Sequence, residues 1–131
     1  MKIITLDHKK LKKLVRFTDP FIHSYEKEVE ILQHFRAGEL RPPSLIEYNK
    51  KFLIFNGNHR VLVAINNKLT ITCKLLENID DVLQAQRDEH HQYRDISMVS
   101  PLTFEAIVED LIERSKQYGD EDPRKYSYDN Y

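Results

Sequence analysis

Apolar positions in the middle of the chain predict two short strands joined by a tight turn. The runs Ser44 to Tyr48 and Phe52 to Asn56 have strand character, and Asn49-Lys50-Lys51 between them is typical of a hairpin connection. Strict alternation would place Asn56 on the same side of the second strand as Ile54. Because both sides of this run are apolar, we expect an inner strand that is covered on both faces.

Apolar residues at three- and four-residue spacing predict helices on either side of this hairpin. The helix before it is expected to be capped by Ser24 and ended by a left-handed Gly38. The helix after it runs through Val61 to Ile65 and leads into a strand at Thr70 to Leu76, an order typical of a crossover unit. The buried stripe of the first helix is predicted to be Tyr25, Val29, Leu32 and Phe35.

Four other segments are predicted. They are a strand (Lys2 to Leu6), a basic helix (His8 to Arg16), a charged helix (Asp80 to His91) and a last helix that starts at Ser100-Pro101.

Length and composition favour one soluble domain without strong bulk charge. The chain has 131 residues, and 20 Lys and Arg nearly balance 21 Asp and Glu, so a nucleic-acid partner would have to be bound by a local patch. We expect residues 1–119 to form the domain and residues 120–131 a flexible tail. Cys73 is the only cysteine and no long apolar run is present, which favours a reducing, cytoplasmic location and no membrane partner.

The most informative segment is Asn56-Gly57-Asn58-His59-Arg60, where a strand runs through a glycine into a helix. The first amides of a helix and the positive end of its dipole favour phosphate. Gly57 allows close approach, Arg60 offers a fork of donors, His59 can donate or move a proton, and Asn58 can cap the helix. On residue types alone, a plain strand-to-helix turn with two solvated side chains is the favoured alternative.

This segment resembles the phosphate-binding box of the ParB/sulfiredoxin superfamily, in which a strand is followed by Gly-x-x-Arg and a helix. Here the box reads Gly57-Asn58-His59-Arg60. The similarity extends upstream through a helix, a Gly-x-x-x-Pro-like segment at Gly38 to Pro43, and the hairpin. It covers roughly residues 20–77, and residues 78–119 would form an added helical part.

The resemblance implies an α/β (α+β) fold, a small mixed sheet with surrounding helices. It implies that Gly57, Asn58, His59, Arg60 and Arg41 bind phosphates of a nucleotide or nucleic acid. ATP or CTP would be the ligand, and DNA would be a further partner. Mg²⁺ is expected only because phosphate chemistry usually uses it. The implied activities are NTP hydrolysis, phosphoryl transfer as in kinases, or nuclease cleavage, with Glu39 and His59 as catalytic groups. An exposed loop acid is an equally good interpretation of Glu39.

Two departures from the family limit these implications. Asn58 stands where sulfiredoxins carry the reactive cysteine, and Cys73, expected to be half-buried, lies on the next strand, so sulfinic acid reduction is not expected. The DNA-reading domain that follows the box in partition ParB proteins does not fit in residues 78–131, so centromere-type DNA recognition is not expected. The alternatives are a non-catalytic DNA- or protein-binding adaptor of plasmid or phage type, and an interaction module that uses its C-terminal helices.

The run Asp88-Glu89-His90-His91 is interpreted as a solvated face and not as a metal site.

Overall fold

A computed structural model describes residues 1–14, 25–88 and 99–118, the last five of these by their backbone only. Within these ranges, four strands form one mixed sheet with five helices around it, which confirms the predicted fold class. The elements are β1 (Lys2–Leu6), α1 (His8–Leu11), α2 (Tyr25–Arg36), β2 (Ser44–Tyr48), β3 (Lys51–Asn56), α3 (Asn58–Asn66), β4 (Ile71–Leu75), α4 (Ile79–Asp88) and α5 (Phe104–Tyr118).

The central hairpin of β2 and β3 forms as predicted. Tyr48 pairs with Lys51, and the two residues between them, Asn49 and Lys50, both have positive φ angles of 49° and 63°. Two consecutive left-handed residues are the geometry of a type I′ turn, whose twist matches that of the strands. The second strand therefore starts one residue earlier than the apolar pattern indicated.

The strand order of the sheet is β1-β4-β2-β3, which corrects two predictions. The strand β3 lies at an edge and is not an inner strand, although its residues Leu53, Ile54 and Phe55 are buried on both faces as expected. β4 pairs parallel to β2 and antiparallel to β1. Since β2 and β3 are antiparallel, the unit β3-α3-β4 is not a parallel crossover, and β2 lies between its two strands.

An irregularity in the hairpin redirects the residue that precedes the glycine turn. Leu45 pairs with Ile54, but Ser44 pairs with Asn56, so Phe55 is an extra residue in β3. A bulge of this kind interrupts the alternation of side chains. Asn56 therefore lies opposite Ser44, and the predicted grouping of Asn56 with Ile54 is wrong.

The helix α2 ends as predicted, because Gly38 has a φ of 73° and its amide donates to the Phe35 carbonyl at 3.0 Å. Its buried face differs from the prediction, since Tyr25 is 58% exposed whereas Glu28 and Ile31 are buried. The Glu28 carboxylate accepts a hydrogen bond of 2.9 Å from Asn67 Nδ2, just after α3. This polar contact turns the Glu28 side of the helix toward α3 and leaves the expected stripe only partly covered.

The helix α5 starts at Phe104, not at Ser100-Pro101. Thr103 Oγ1 accepts from the Ala106 amide at 3.2 Å, and the Thr103 carbonyl accepts the first helical bond from Ile107. A threonine side chain thus caps the helix three residues beyond the predicted start. The apolar face of α5 is buried at Ile107, Val108 and Leu111.

The basic helix is shorter than predicted, because α1 ends at Leu11 with Lys12 as its C-cap and does not continue to Arg16. Several predictions lie outside the described residues: the cap at Ser24, residues 15–16, His90 and His91, and the tail 120–131. The single-domain boundary at residue 119 also stays a prediction. Among the helices that the structure describes, none is long and apolar enough to cross a membrane.

The start of α5 gives a direct stability test. We expect Thr103→Ala to lower the free energy of unfolding by about 1 kcal/mol, because the Ala106 amide loses its acceptor. Thr103→Ser retains the hydroxyl and should lose much less. Urea denaturation would measure both, with Ser100→Ala as the control. A larger loss for Ser100→Ala than for Thr103→Ala would contradict this start of the helix.

Candidate functional site

The glycine turn is fixed by contact with the loop that precedes β2. Gly57 has φ 102° and ψ 27°, a left-handed conformation that side chains rarely adopt. A Cβ at this position would lie 2.7 Å from the Pro43 Cβ and 2.9 Å from the Pro43 Cα. Glycine is therefore required at position 57 for two reasons, the left-handed backbone conformation and the close contact with Pro43.

The start of α3 carries no negative charge to offset its dipole. Gly57 is the N-cap and no side chain caps the helix, so the suggested capping role of Asn58 is not what the structure shows. The first helical bond runs from the Val61 amide to the Gly57 carbonyl at 3.0 Å, and the amides of residues 58–60 precede it. The first turn contains His59 and Arg60 and no acidic residue. The positive end of the helix dipole thus meets a cationic side chain.

The Arg60 guanidinium is held against the turn by the same loop. Its Nη1 donates to the Arg41 carbonyl at 2.8 Å and makes a longer contact of 3.5 Å with the Pro42 carbonyl. Its Nη2 lies 3.1 Å from the place that a Cβ of Gly57 would occupy. Arg60 therefore has a structural task, holding the loop, in addition to the predicted role as a charge at the box.

Arg41 connects the turn with Asp88 and Lys74, two residues that were not predicted from the sequence to belong to the site. Arg41 Nη1 donates to the Asp88 carbonyl at 2.7 Å, at the end of α4. The Asp88 carboxylate lies 3.6 Å from Lys74 Nζ, and the Lys74 amide donates to the Pro43 carbonyl at 2.8 Å. In the sequence, Lys74 stands out only because it is the one charged residue of an otherwise uncharged strand.

Glu39, the predicted base, is exposed in the same loop. Its amide donates to the His34 carbonyl at 2.9 Å and completes the end of α2. The loop contacts that the structure shows at the turn come from Arg41, Pro42 and Pro43. The catalytic role of Glu39 therefore stays a prediction.

Polar atoms are buried around the turn. The Nδ2 of Asn56 is buried and has no hydrogen-bond partner among the described residues. The Oδ1 of Asn58 and the Nδ1 of His59 are buried as well. A buried amide donor without an acceptor costs about 1–3 kcal/mol, so an acceptor supplied by a ligand would be favourable at Asn56.

Cys73 is fully buried and not half-buried as expected. Burial raises the pKa of its thiol to about 12, while the nearby Arg60 charge acts weakly in the opposite direction. A thiol with this pKa carries almost no thiolate at neutral pH. Cys73 is therefore a packing residue beneath the site.

The basic helix α1 does not extend the turn into a longer phosphate-binding surface. It follows β1, whose last residue Leu6 pairs with Ile71 at the start of β4. The turn lies near Lys74, three residues further along β4, or about 10 Å. The lysines of α1 therefore come after the end of β1 that pairs with the start of β4, which is the end of β4 opposite to the turn.

The residues near the turn do not fit a magnesium site. Within the described ranges, no group of three or more His, Cys, Asp or Glu side chains is placed to hold a metal ion. Asp88 is already engaged, because its carboxylate pairs with Lys74 and its backbone carbonyl accepts from Arg41. Mg²⁺ bound together with a nucleotide would take part of its coordination from the phosphates.

Comparison with known proteins gives little beyond this geometry. No family model matches the chain, and no curated protein matches it. Among solved structures, sulfiredoxin from Arabidopsis thaliana is similar, with a TM-score of 0.47 and 24% sequence identity over 68% of this chain and 100% of that chain. This similarity concerns the path of the backbone and assigns no role to any residue.

The two glycines with positive φ provide a matched test of the turn. Gly57→Ala should destabilise the fold by about 3 kcal/mol or more, because conformational strain adds to the clash with the Pro43 backbone. Gly38→Ala should cost only about 1 kcal/mol, since nothing lies within 4 Å of its new Cβ. Equal losses in chemical denaturation would show that Gly57 does not pack on Pro43.

The buried thiol predicts a specific pH dependence of stability. Burial raises the pKa of Cys73 from 9.0 to about 12, so the unfolded chain releases this proton first as pH rises. The stabilising contribution is complete below pH 9 and is lost toward pH 12. The difference in unfolding free energy between wild type and Cys73→Ala should therefore shrink as the pH is raised above 9. A difference that is constant over this range would contradict the burial of the thiol.

Proposed function

We propose that the turn at Gly57 to Arg60 binds a phosphate group of a nucleotide such as ATP or CTP. The turn combines backbone amides at a helix start with the Arg60 charge. Arg41, held at the Asp88 carbonyl, adds a second cation on the loop that touches the turn. These are the donors that bind phosphate oxygens in proteins generally.

The absence of any acid from the first turn of α3 carries this proposal. Surface helices commonly place Asp or Glu there, because a carboxylate stabilises the positive end of the dipole by about 0.3–1 kcal/mol. Here the same place holds His59 and Arg60, and Arg60 is fixed by bonds to the loop carbonyls. The Arg60 charge beside the positive end of the helix dipole, with no acidic residue in the same turn, favours an anionic ligand.

Chemistry at the bound phosphate would be a further step beyond binding. His59, the second residue of α3, is the residue of the turn that can move a proton near neutral pH. Glu39 is the proposed second group, on the loop two residues before Arg41. Hydrolysis, phosphoryl transfer or nuclease action would use these groups, whereas a non-catalytic adaptor would bind without turnover.

A single isosteric change separates phosphate binding from stability. We expect Asn58→Asp to weaken binding of ATP and CTP at least tenfold, because repulsion between neighbouring like charges exceeds 1 kcal/mol near a protein surface. The same change should leave the protein folded, since the favourable interaction of a carboxylate with the helix dipole offsets the cost of burying charge at the Oδ1 position. Calorimetric titration with and without Mg²⁺ measures the binding, and thermal denaturation measures the stability.

Asn49→Asp is the matched control, because it makes the same charge change at the hairpin turn, at the far end of β2 from Ser44. It should not alter binding. Equal affinities of Asn58→Asp and wild type would refute the phosphate site at the turn. Absence of nucleotide binding by wild type, with binding of an oligonucleotide that Asn58→Asp abolishes, would move the ligand to nucleic-acid phosphates.

A further inference from the structure

A row of polar side chains crosses three strands next to the turn. Ser44, the first residue of β2, pairs with Asn56 of β3 on one side and with Lys74 of β4 on the other. Paired residues of neighbouring strands project to the same face of a sheet. The ammonium of Lys74, the hydroxyl of Ser44 and the amide of Asn56 therefore line one face at this end of the sheet.

This row contains a buried hydrogen-bond donor without an acceptor among the described residues. Ser44 is only 4% exposed, and Asn56 Nδ2 is buried with no hydrogen-bond partner among the described residues. Burial of such a donor is unfavourable unless an acceptor is supplied. The row therefore gives evidence, independent of the start of α3, for a ligand that supplies a hydrogen-bond acceptor, as phosphate oxygens do.

Asp88 provides a carboxylate and a carbonyl oxygen at one end of the row. Its carboxylate pairs with Lys74 at 3.6 Å, and its backbone carbonyl accepts from Arg41 at 2.7 Å. The two side chains of the ion pair are 28% and 39% exposed, so water and a solute can reach them. An ion pair with this exposure is weak, and a multiply charged anion can displace it.

We propose that Arg41 and Lys74 form a second phosphate site beside the turn, and that Asp88 occupies this site until a ligand replaces it. The ligand is then a diphosphate or triphosphate, with one phosphate at the turn and the next between Arg41 and Lys74. Asp88 acts as an internal competitor that favours ligands with at least two phosphates. This inference rests on the proposed function, because it presumes that the turn holds the first phosphate.

The two sites are joined through Pro43, and long side chains can reach across part of the distance between them. Pro43 lies between them, packed against Gly57 and hydrogen-bonded through its carbonyl to the Lys74 amide. The backbones of β3 and β4 are two strand spacings apart, or about 10 Å. The long side chain of Lys74 can span much of this distance. Arg41 is continuous with Pro43 and is bonded through its carbonyl to Arg60, so it connects the two sites.

The test compares the affinities of pyrophosphate and orthophosphate, measured by calorimetry at low salt. The readout is the ratio of the two affinities in each variant. Asp88→Asn keeps the backbone carbonyl and removes the charge that competes for Lys74, so the ratio should rise by about two- to fivefold. Lys74→Gln should lower the ratio by a similar factor of about two to five, because the second phosphate loses a cation. Both changes should diminish at high ionic strength.

Matched controls carry the same charge changes away from the site. Asp80→Asn alters an exposed acid in the first turn of α4, at the opposite end of the helix from Asp88. Lys9→Gln alters an exposed lysine of α1. Neither control should change the ratio. Circular dichroism and thermal denaturation would verify that all four variants are folded.

The outcomes separate this inference from the proposed function. A ratio that shifts in opposite directions in Asp88→Asn and Lys74→Gln, and not in the controls, supports the second site. A ratio that is unchanged in both variants, while Asn58→Asp still weakens orthophosphate binding, overturns the second site and leaves the turn as the phosphate site. If neither phosphate binds to wild type, both proposals are overturned.

Discussion

The contact between Gly57 and Pro43 is the constraint on which the rest of the site depends. It brings the end of β3 against the loop that precedes β2, at a distance that no side chain on residue 57 would allow. The same contact lets Arg60 reach the Arg41 and Pro42 carbonyls. The loop is thereby fastened to α3, and Arg41 is placed to meet Asp88. One close approach of two backbones thus organises groups from α3, the loop, β4 and α4.

This arrangement concentrates positive charge where the fold itself supplies more. The dipole of α3 points its positive end at the turn, and Arg60 lies there without an acidic neighbour in the first helical turn. Lys74 and Arg41 follow along the end of the sheet, with Asp88 in contact with both. The chain as a whole is close to neutral, so this is a local electrostatic feature. The proposed anion site therefore depends on local geometry and not on bulk charge.

Local patterns predicted the elements well, and long-range contacts explain what they missed. The hairpin, the glycine turn and the end of α2 follow from residues next to each other in the chain. The edge position of β3, the bulge at Phe55 and the buried side of α2 depend on pairing between distant segments. For the site, the sequence indicated Gly57 and Arg60. It could not indicate that Arg60 binds loop carbonyls, or that Lys74 and Asp88 lie beside it, because these pairs are separated by many residues.

The most direct test of the phosphate site is to locate the bound anion by nuclear magnetic resonance. Orthophosphate titrated into uniformly ¹⁵N-labelled protein should shift the backbone amides of residues 57–60 in a saturable way, because these amides lie at the start of α3. The amides of Lys9 and Lys10 in α1 should stay unchanged, although these residues are also basic. Shifts that centre on α1, or no saturable shift at residues 57–60, would contradict the account.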